Sequence, residues 1–91
     1  MDIPNPIVKA AIEAMNAKDR QKWFDLFAPN AVLTDEGNPH DFTEWSDGEV
    51  FGSGGGRVTA IDRTEDDGKR LYAQFHSDQW GDFPTSMQFT I

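Results

Sequence analysis

The chain has no cysteine, which excludes a disulfide framework and any thiolate metal site, and leaves nothing that argues for an oxidising compartment. Positive charge is scarce as well. Only 8 lysines and arginines stand against 16 acidic residues, a formal net charge of -8, so phosphate backbones and anionic lipid surfaces are repelled across most of the surface. Neither nucleic acid nor membrane is expected as a partner. No apolar run approaches the roughly 20 residues that span a bilayer. The opening MDIPNPIVKA lacks the charged segment and unbroken apolar stretch of a signal peptide, so the expected location is cytoplasmic. There is also no internal repeat, linker or low-complexity tract, and the 91 residues are expected to form a single domain, 1–91, around one modest core. What the composition does hold is aromatic bulk. Seven Phe and three Trp concentrate large side chains in few positions and offset an apolar fraction of 37%.

Asn5-Pro6 reads as an N-cap followed by proline at the first helical position, where its missing N–H costs nothing. Ile7, Val8, Ala11, Ile12 and Met15 then form one apolar stripe opposite Lys9, Glu13 and Asn16. Asn16-Ala17-Lys18 reads as a tight helix-to-helix connection, after which Asp19 caps a short second helix carrying Trp23, Phe24, Leu26 and Phe27. Pro29 ends it. A strand follows over Ala31 to Asp35, with Ala31, Leu33 and Asp35 on one face. Glu36-Gly37-Asn38-Pro39 has the composition of a turn. Asp41 and Glu44 resemble a capping box, which predicts a third helix from about Phe42, with Phe42, Trp45 and Val50 inward. Gly52 to Gly56 lacks the following Lys-Ser/Thr of a phosphate loop and runs into a strand, so it reads as a flexible connector.

From Arg57 the apolar period changes to two. Arg57 to Thr64 and Lys69 to Trp80 flank Glu65-Asp66-Asp67-Gly68, an acidic hairpin tip with an Asp-Gly step. Leu71, Ala73 and Phe75 share one face, and Arg70, Tyr72, Gln74 and His76 share the other. Gly81-Asp82-Phe83-Pro84 reads as the next turn, and Thr85, Met87, Phe89 and Ile91 alternate along a last strand. Residues encoded beyond Ile91 would be expected to add an edge strand. The order helix-helix-strand-helix-strand-strand-strand predicts an α+β fold, helices packed on a curved antiparallel sheet.

The stretch Asn16 to Gly37, NAKDRQKWFDLFAPNAVLTDEG, resembles the signature of the nuclear transport factor 2-like superfamily, which includes the SnoaL-like polyketide cyclases and the ketosteroid isomerases. Asn16-Ala17-x-Asp19, Leu26-Phe27-Ala28-Pro29-Asn30-Ala31 and Asp35 carry the resemblance, and the element order extends it through Ile91. It implies a cone-shaped sheet wrapped around a long helix, an internal pocket and often a homodimer. The family's strand pair before the third helix is here expected to be reduced to a turn, and its last strand to be absent. The resemblance places Asp35 at the isomerases' aspartate base. Their two acidic partners are not matched, since the corresponding positions fall near Ala11 and Ser86. Losing one oxyanion donor typically costs about a hundredfold in rate, so steroid isomerisation is not carried over.

The expectation is a SnoaL-like domain with a pocket for a small, largely apolar organic molecule, with no cofactor and no metal. Its alternative is a cofactor-free isomerase, cyclase or hydratase using Asp35 as general base. Leu33, Trp23, Phe27, Trp45 and His76 are the candidate ligand-binding residues. Trp23, Trp45 and Trp80 are weighed as pocket lining against a plainer reading as core, His76 against that of a surface or dimer-interface histidine, and Asp35 against that of a hydrogen-bonded strand end. His40 lacks the second clustered histidine that a metal site needs. The two readings of Asp35 separate on titration. A pocket carboxylate is desolvated, its pKa lies above the ordinary aspartate value, and Asp35→Asn is neutral or mildly stabilising at pH 7. A carboxylate that accepts backbone hydrogen bonds has a lowered pKa, and the same variant loses stability at pH 7. Carboxyl-carbon NMR with thermal melts of both forms decides, and a pKa at or below the ordinary value would remove the catalytic reading.

Overall fold

The computed structural model describes residues 2–28, 30–35 and 38–90, of which 32–35 are described by backbone alone. Two helices lead, α1 (Pro6–Ala17) and α2 (Arg20–Asp25), followed by a hairpin of β1 (Val32–Asp35) and β2 (Asn38–Asp41). A third helix, α3 (Phe42–Trp45), widens into a π-helical turn over Ser46–Val50, and a meander of β3 (Arg57–Glu65), β4 (Arg70–Ser77) and β5 (Gly81–Gln88) comes last. The architecture is α+β, with N-terminal helices followed by an antiparallel sheet in the order β3-β4-β5.

Local chemistry sets both ends of α1. The Asn5 side chain accepts from the N–H groups of Ile7 and Val8 at 3.0 and 3.1 Å, and Pro6 occupies the first turn. At the other end Lys18 takes a left-handed conformation, φ 58°. The Lys18 and Asp19 N–H groups then donate back to the Met15 and Ala14 carbonyls, the paired closure of a Schellman motif. The Lys18 ammonium donates to the Gly56 carbonyl. Burial and the nearby Arg57 hold its pKa below the usual lysine value, against attraction from Asp78.

The stripe of α1 is the core face except at Ile7, expected to lie inward but 46% exposed in the first turn. Val8, Ala11, Ile12 and Met15 are buried in one cluster with Val58 of β3 and Leu71, Ala73 and Phe75 of β4, and β4 alternates buried and half-buried residues along its whole length. One polar side chain fixes the helix against the sheet. The Asn16 amide donates to the Val58 carbonyl at 2.8 Å and accepts from the Val58 N–H at 2.9 Å, so it does for the open edge of β3 what a neighbouring strand would do. Register shifts between Val58 and Ala60, and between Ile61 and Arg63, mark bulges that bend this strand.

A second cluster joins α2 to α3. Trp23, 3% exposed, packs against Phe27 and Phe42 at centroid distances of 4.8 and 5.9 Å, and its indole N–H donates to the buried Ser46 hydroxyl at 3.1 Å. Outside the cluster, the Arg20 guanidinium grips Asp47 through two bonds of 2.7 and 3.0 Å. That contact holds the Asp47 carboxyl below, and the Arg20 guanidinium above, their ordinary pKa values.

The structure corrects three sequence expectations. Where a turn over Glu36 to Pro39 was expected, β2 pairs with β1, His40 opposite Leu33 and Pro39 opposite Thr34, so the strand pair before the third helix is present. Every residue of β2 is exposed; it has no apolar alternation to read, and main-chain pairing alone makes it a strand. The turn expected at Gly81 to Pro84 lies earlier, at Asp78 to Trp80, and β5 begins at Gly81. Pro84 is tolerated because β5 is an edge strand. The glycine stretch is not a loose connector. The Gly56 N–H donates to the Glu49 carbonyl at 2.7 Å, and the Gly54 carbonyl accepts from the Asp78 N–H at 2.7 Å. A Cβ on Gly56 would lie 2.5 Å from the Phe75 ring and 2.6 Å from the Glu49 carbonyl oxygen, so the close approach itself requires glycine. The expectation for Ile91 falls outside the described residues.

Asn16→Ala leaves both main-chain groups of Val58 without their partner. Unmade bonds of part-buried groups cost about 1–3 kcal/mol, and urea unfolding should show a loss in that range. Asn16→Asp, which keeps only the acceptor, should fall between. A change below about 0.5 kcal/mol, the ordinary scale of surface substitutions, would mean that the amide merely decorates the edge.

Candidate functional site

A cleft of about 490 Å³ opens between α3 and the sheet, within the size range of small-molecule sites. Its floor is formed by Phe75 and Ser77 of β4 and by Phe83, Thr85 and Met87 of β5. Its wall is Glu44, Trp45 and Glu49 of α3 and the π-helical turn, joined by His40 of β2, with Trp80 at the rim.

Each part has a local cause. Asp41 caps α3, its carboxylate accepting from the Glu44 N–H at 2.9 Å. The reciprocal half of the capping box is not formed among the described residues, and the Glu44 side chain lines the cleft instead. The Phe51 N–H donates to the Ser46 carbonyl at 3.0 Å, the five-residue spacing of a π turn, a feature often found at functional sites. This wider turn brings Glu49 round to the side of Glu44 and Trp45. Ser77 is buried, and its hydroxyl accepts from the Gln79 and Trp80 N–H groups at 3.2 and 3.1 Å. These bonds shape the turn that holds out Trp80, which is 74% exposed. Phe75 and Phe83 pack at 5.6 Å between centroids.

Of the candidate ligand-binding residues, the structure brings only Trp45 to this cleft as a described side chain; Trp80, weighed as a pocket tryptophan, and His40, set aside as a metal ligand, also line it. Trp23 is core. Phe27 packs on Trp23 and Phe42 and borders a separate, shallower cleft with Phe24 and Thr43. His76 points to the opposite face of β4, where its Nδ1 lies 2.6 Å from Asp82 and its Nε2 2.8 Å from Asp78. Both bonds, first that to Asp78 and then that to Asp82, raise its pKa above the ordinary histidine value, against desolvation and Arg57. The backbone of Leu33 pairs with His40 and that of Asp35 with Asn38; the side chains of both lie outside the described residues. Glu44, Glu49 and Phe83 were missed as site residues. The five-residue spacing of the two glutamates was the available signal, and it has meaning only on a π turn.

Among the described residues no group of three or more His, Cys, Asp or Glu side chains could hold a metal ion, and no described helix is long and apolar enough to cross a membrane. The chain matches no family model, no curated protein and no solved structure.

The aspartates around His76 make a pH-dependent contact. A histidine whose folded pKa lies above its unfolded value, about 6.5, contributes stability that is complete below that value and lost as pH rises through the folded one. Wild type should therefore melt higher than His76→Gln at pH 5.5, and the gap should close by pH 9. Equal gaps at the two pH values would show that the ion pairs contribute nothing.

Proposed function

We propose that this chain is a pocket-bearing domain of the nuclear transport factor 2-like kind, which binds a small, largely apolar organic molecule in the cleft between α3 and the sheet. The observation that carries this reading is the lining. Trp45, Phe75, Trp80, Phe83 and Met87 supply apolar surface, and a few polar groups, among them Ser77 and Thr85, stand between them, the composition of a ligand site rather than of a packing fault. The order of helices, hairpin, helix and meander supports the same family.

A catalytic use of the cleft, with Asp35 as base of a cofactor-free isomerase, cyclase or hydratase, is the alternative. One observation favours it: β1 pairs with β2 at Leu33 and His40, and His40 is a cleft residue, so the strand carrying Asp35 is continuous with the wall.

The homodimer belongs to the same reading. The sheet face that would carry it is polar, with Arg63 stacked 4.0 Å over Tyr72, Gln74 donating to Asp62 and Arg70 to Gln88. The apolar residues of β5 face the cleft side, so such a dimer would rest on polar contacts weakened by salt.

An uncharged dye, N-phenyl-1-naphthylamine, should bind saturably with one site per chain. Trp80→Ala with Phe83→Ala, both exposed positions, should weaken it about tenfold through lost ring contact while lowering the melting temperature by no more than about 8 °C, the sum of two surface changes of about 0.5 kcal/mol each in a domain of this size. Absence of saturable binding, or an unchanged affinity in the double variant, would overturn the pocket reading.

A further inference from the structure

The cleft has a charge as well as a shape. Two of its wall residues are glutamates, Glu44 and Glu49, and among the described residues its remaining polar lining is His40, Ser77 and Thr85, with no lysine or arginine bordering it. Among the described residues neither glutamate side chain makes an ion pair or a hydrogen bond, a state they share with Glu13, Glu65 and Asp67; what sets these two apart is that they border the cleft. Four aromatic rings, Trp45, Trp80, Phe75 and Phe83, line the same cleft, and an aromatic face carries the negative end of the ring quadrupole. The formal charges and the rings of the lining together favour a positive charge. A ligand anion or carboxylate would meet two like charges and no donor stronger than a hydroxyl or an imidazole.

On the reading that the cleft is a small-molecule site, we propose that its ligand is an organic cation: an ammonium head, tertiary or quaternary, on an apolar or aromatic body. Aromatic faces with nearby carboxylates attract such a head without needing to strip it of strong hydrogen bonds, because alkylated ammonium is weakly hydrated. The apolar floor of Phe75, Phe83 and Met87 takes the body. The net charge of -8 adds a long-range field that raises the local concentration of cations at the mouth.

Three probes of one shape class separate this from the pocket reading. Benzyltrimethylammonium, its neutral isostere neopentylbenzene and the anion benzenesulfonate are titrated into the full chain by calorimetry and by tryptophan emission. The cation should bind at least about tenfold tighter than the isostere, and the anion should show no binding. Glu44→Gln with Glu49→Gln, which preserves shape and lies on solvent-accessible positions, should weaken the cation about tenfold and leave the isostere unchanged. Raising salt from 20 to 300 mM, roughly from a 20 Å to a 6 Å screening length, should weaken the cation alone. If cation and isostere bind equally, or the glutamine variant binds the cation as wild type does, the pocket reading stands and this inference is overturned. Failure of all three probes to bind would overturn both.

Discussion

The structure depends on a single side-chain amide that stands in for a strand. β3 lies at one edge of a three-stranded sheet, and an edge strand presents main-chain groups with nothing opposite them. Asn16, in the last turn of α1, supplies both missing bonds at Val58. Because the amide is fixed at both its oxygen and its nitrogen, it sets the height of α1 over the sheet as well as its distance from it. The apolar stripe of α1 can then meet Leu71, Ala73 and Phe75 in one arrangement. Apolar burial drives the two layers together but has no direction of its own. The amide provides the direction.

From that anchor the cleft follows in steps. α1 ends in a tight left-handed closure at Lys18, so α2 leaves at a fixed angle and carries Trp23 into the core. The Trp23 indole reaches Ser46, and Arg20 grips Asp47. These two contacts hold the start of the π-helical turn on its inner and outer sides. With the turn held, Trp45 and Glu49 stand over β4 and β5 at a spacing that leaves space rather than closing it. The glycine stretch completes the arrangement: Gly56 passes against Phe75 and the Glu49 carbonyl where no side chain fits.

Charge is distributed with the same economy. On the outer sheet face the polar side chains are partnered: His76 by Asp78 and Asp82, Asp62 by the neutral amide of Gln74, and Arg70 by the amide oxygen of Gln88. On the cleft side the two glutamates are left without such partners among the described residues, beside four aromatic rings. An acidic chain has carboxylates to spare everywhere, so the informative fact is that these two border one aromatic cleft.

The sequence by itself determined the elements whose causes are local. Asn5-Pro6 opens α1 because the cap and the proline act within one turn; Asp41 opens α3 for the same reason. The two-residue period of β4 is legible because one face is wholly buried. Only the tertiary structure decided the rest. β2 has no apolar pattern, and its pairing comes from main-chain bonds to β1. Asn16 sits on what the helical wheel presents as the solvent side, and a strand edge 42 residues away gives it a role. The glycine-rich stretch from Gly52 to Gly56 looks flexible until the atoms it approaches are known. Glu44 and Glu49 read as surface charges, since neighbours on an α-helix are three or four apart, not five. It takes the π turn, held by Trp23 and Arg20, to bring both to the wall of one cleft.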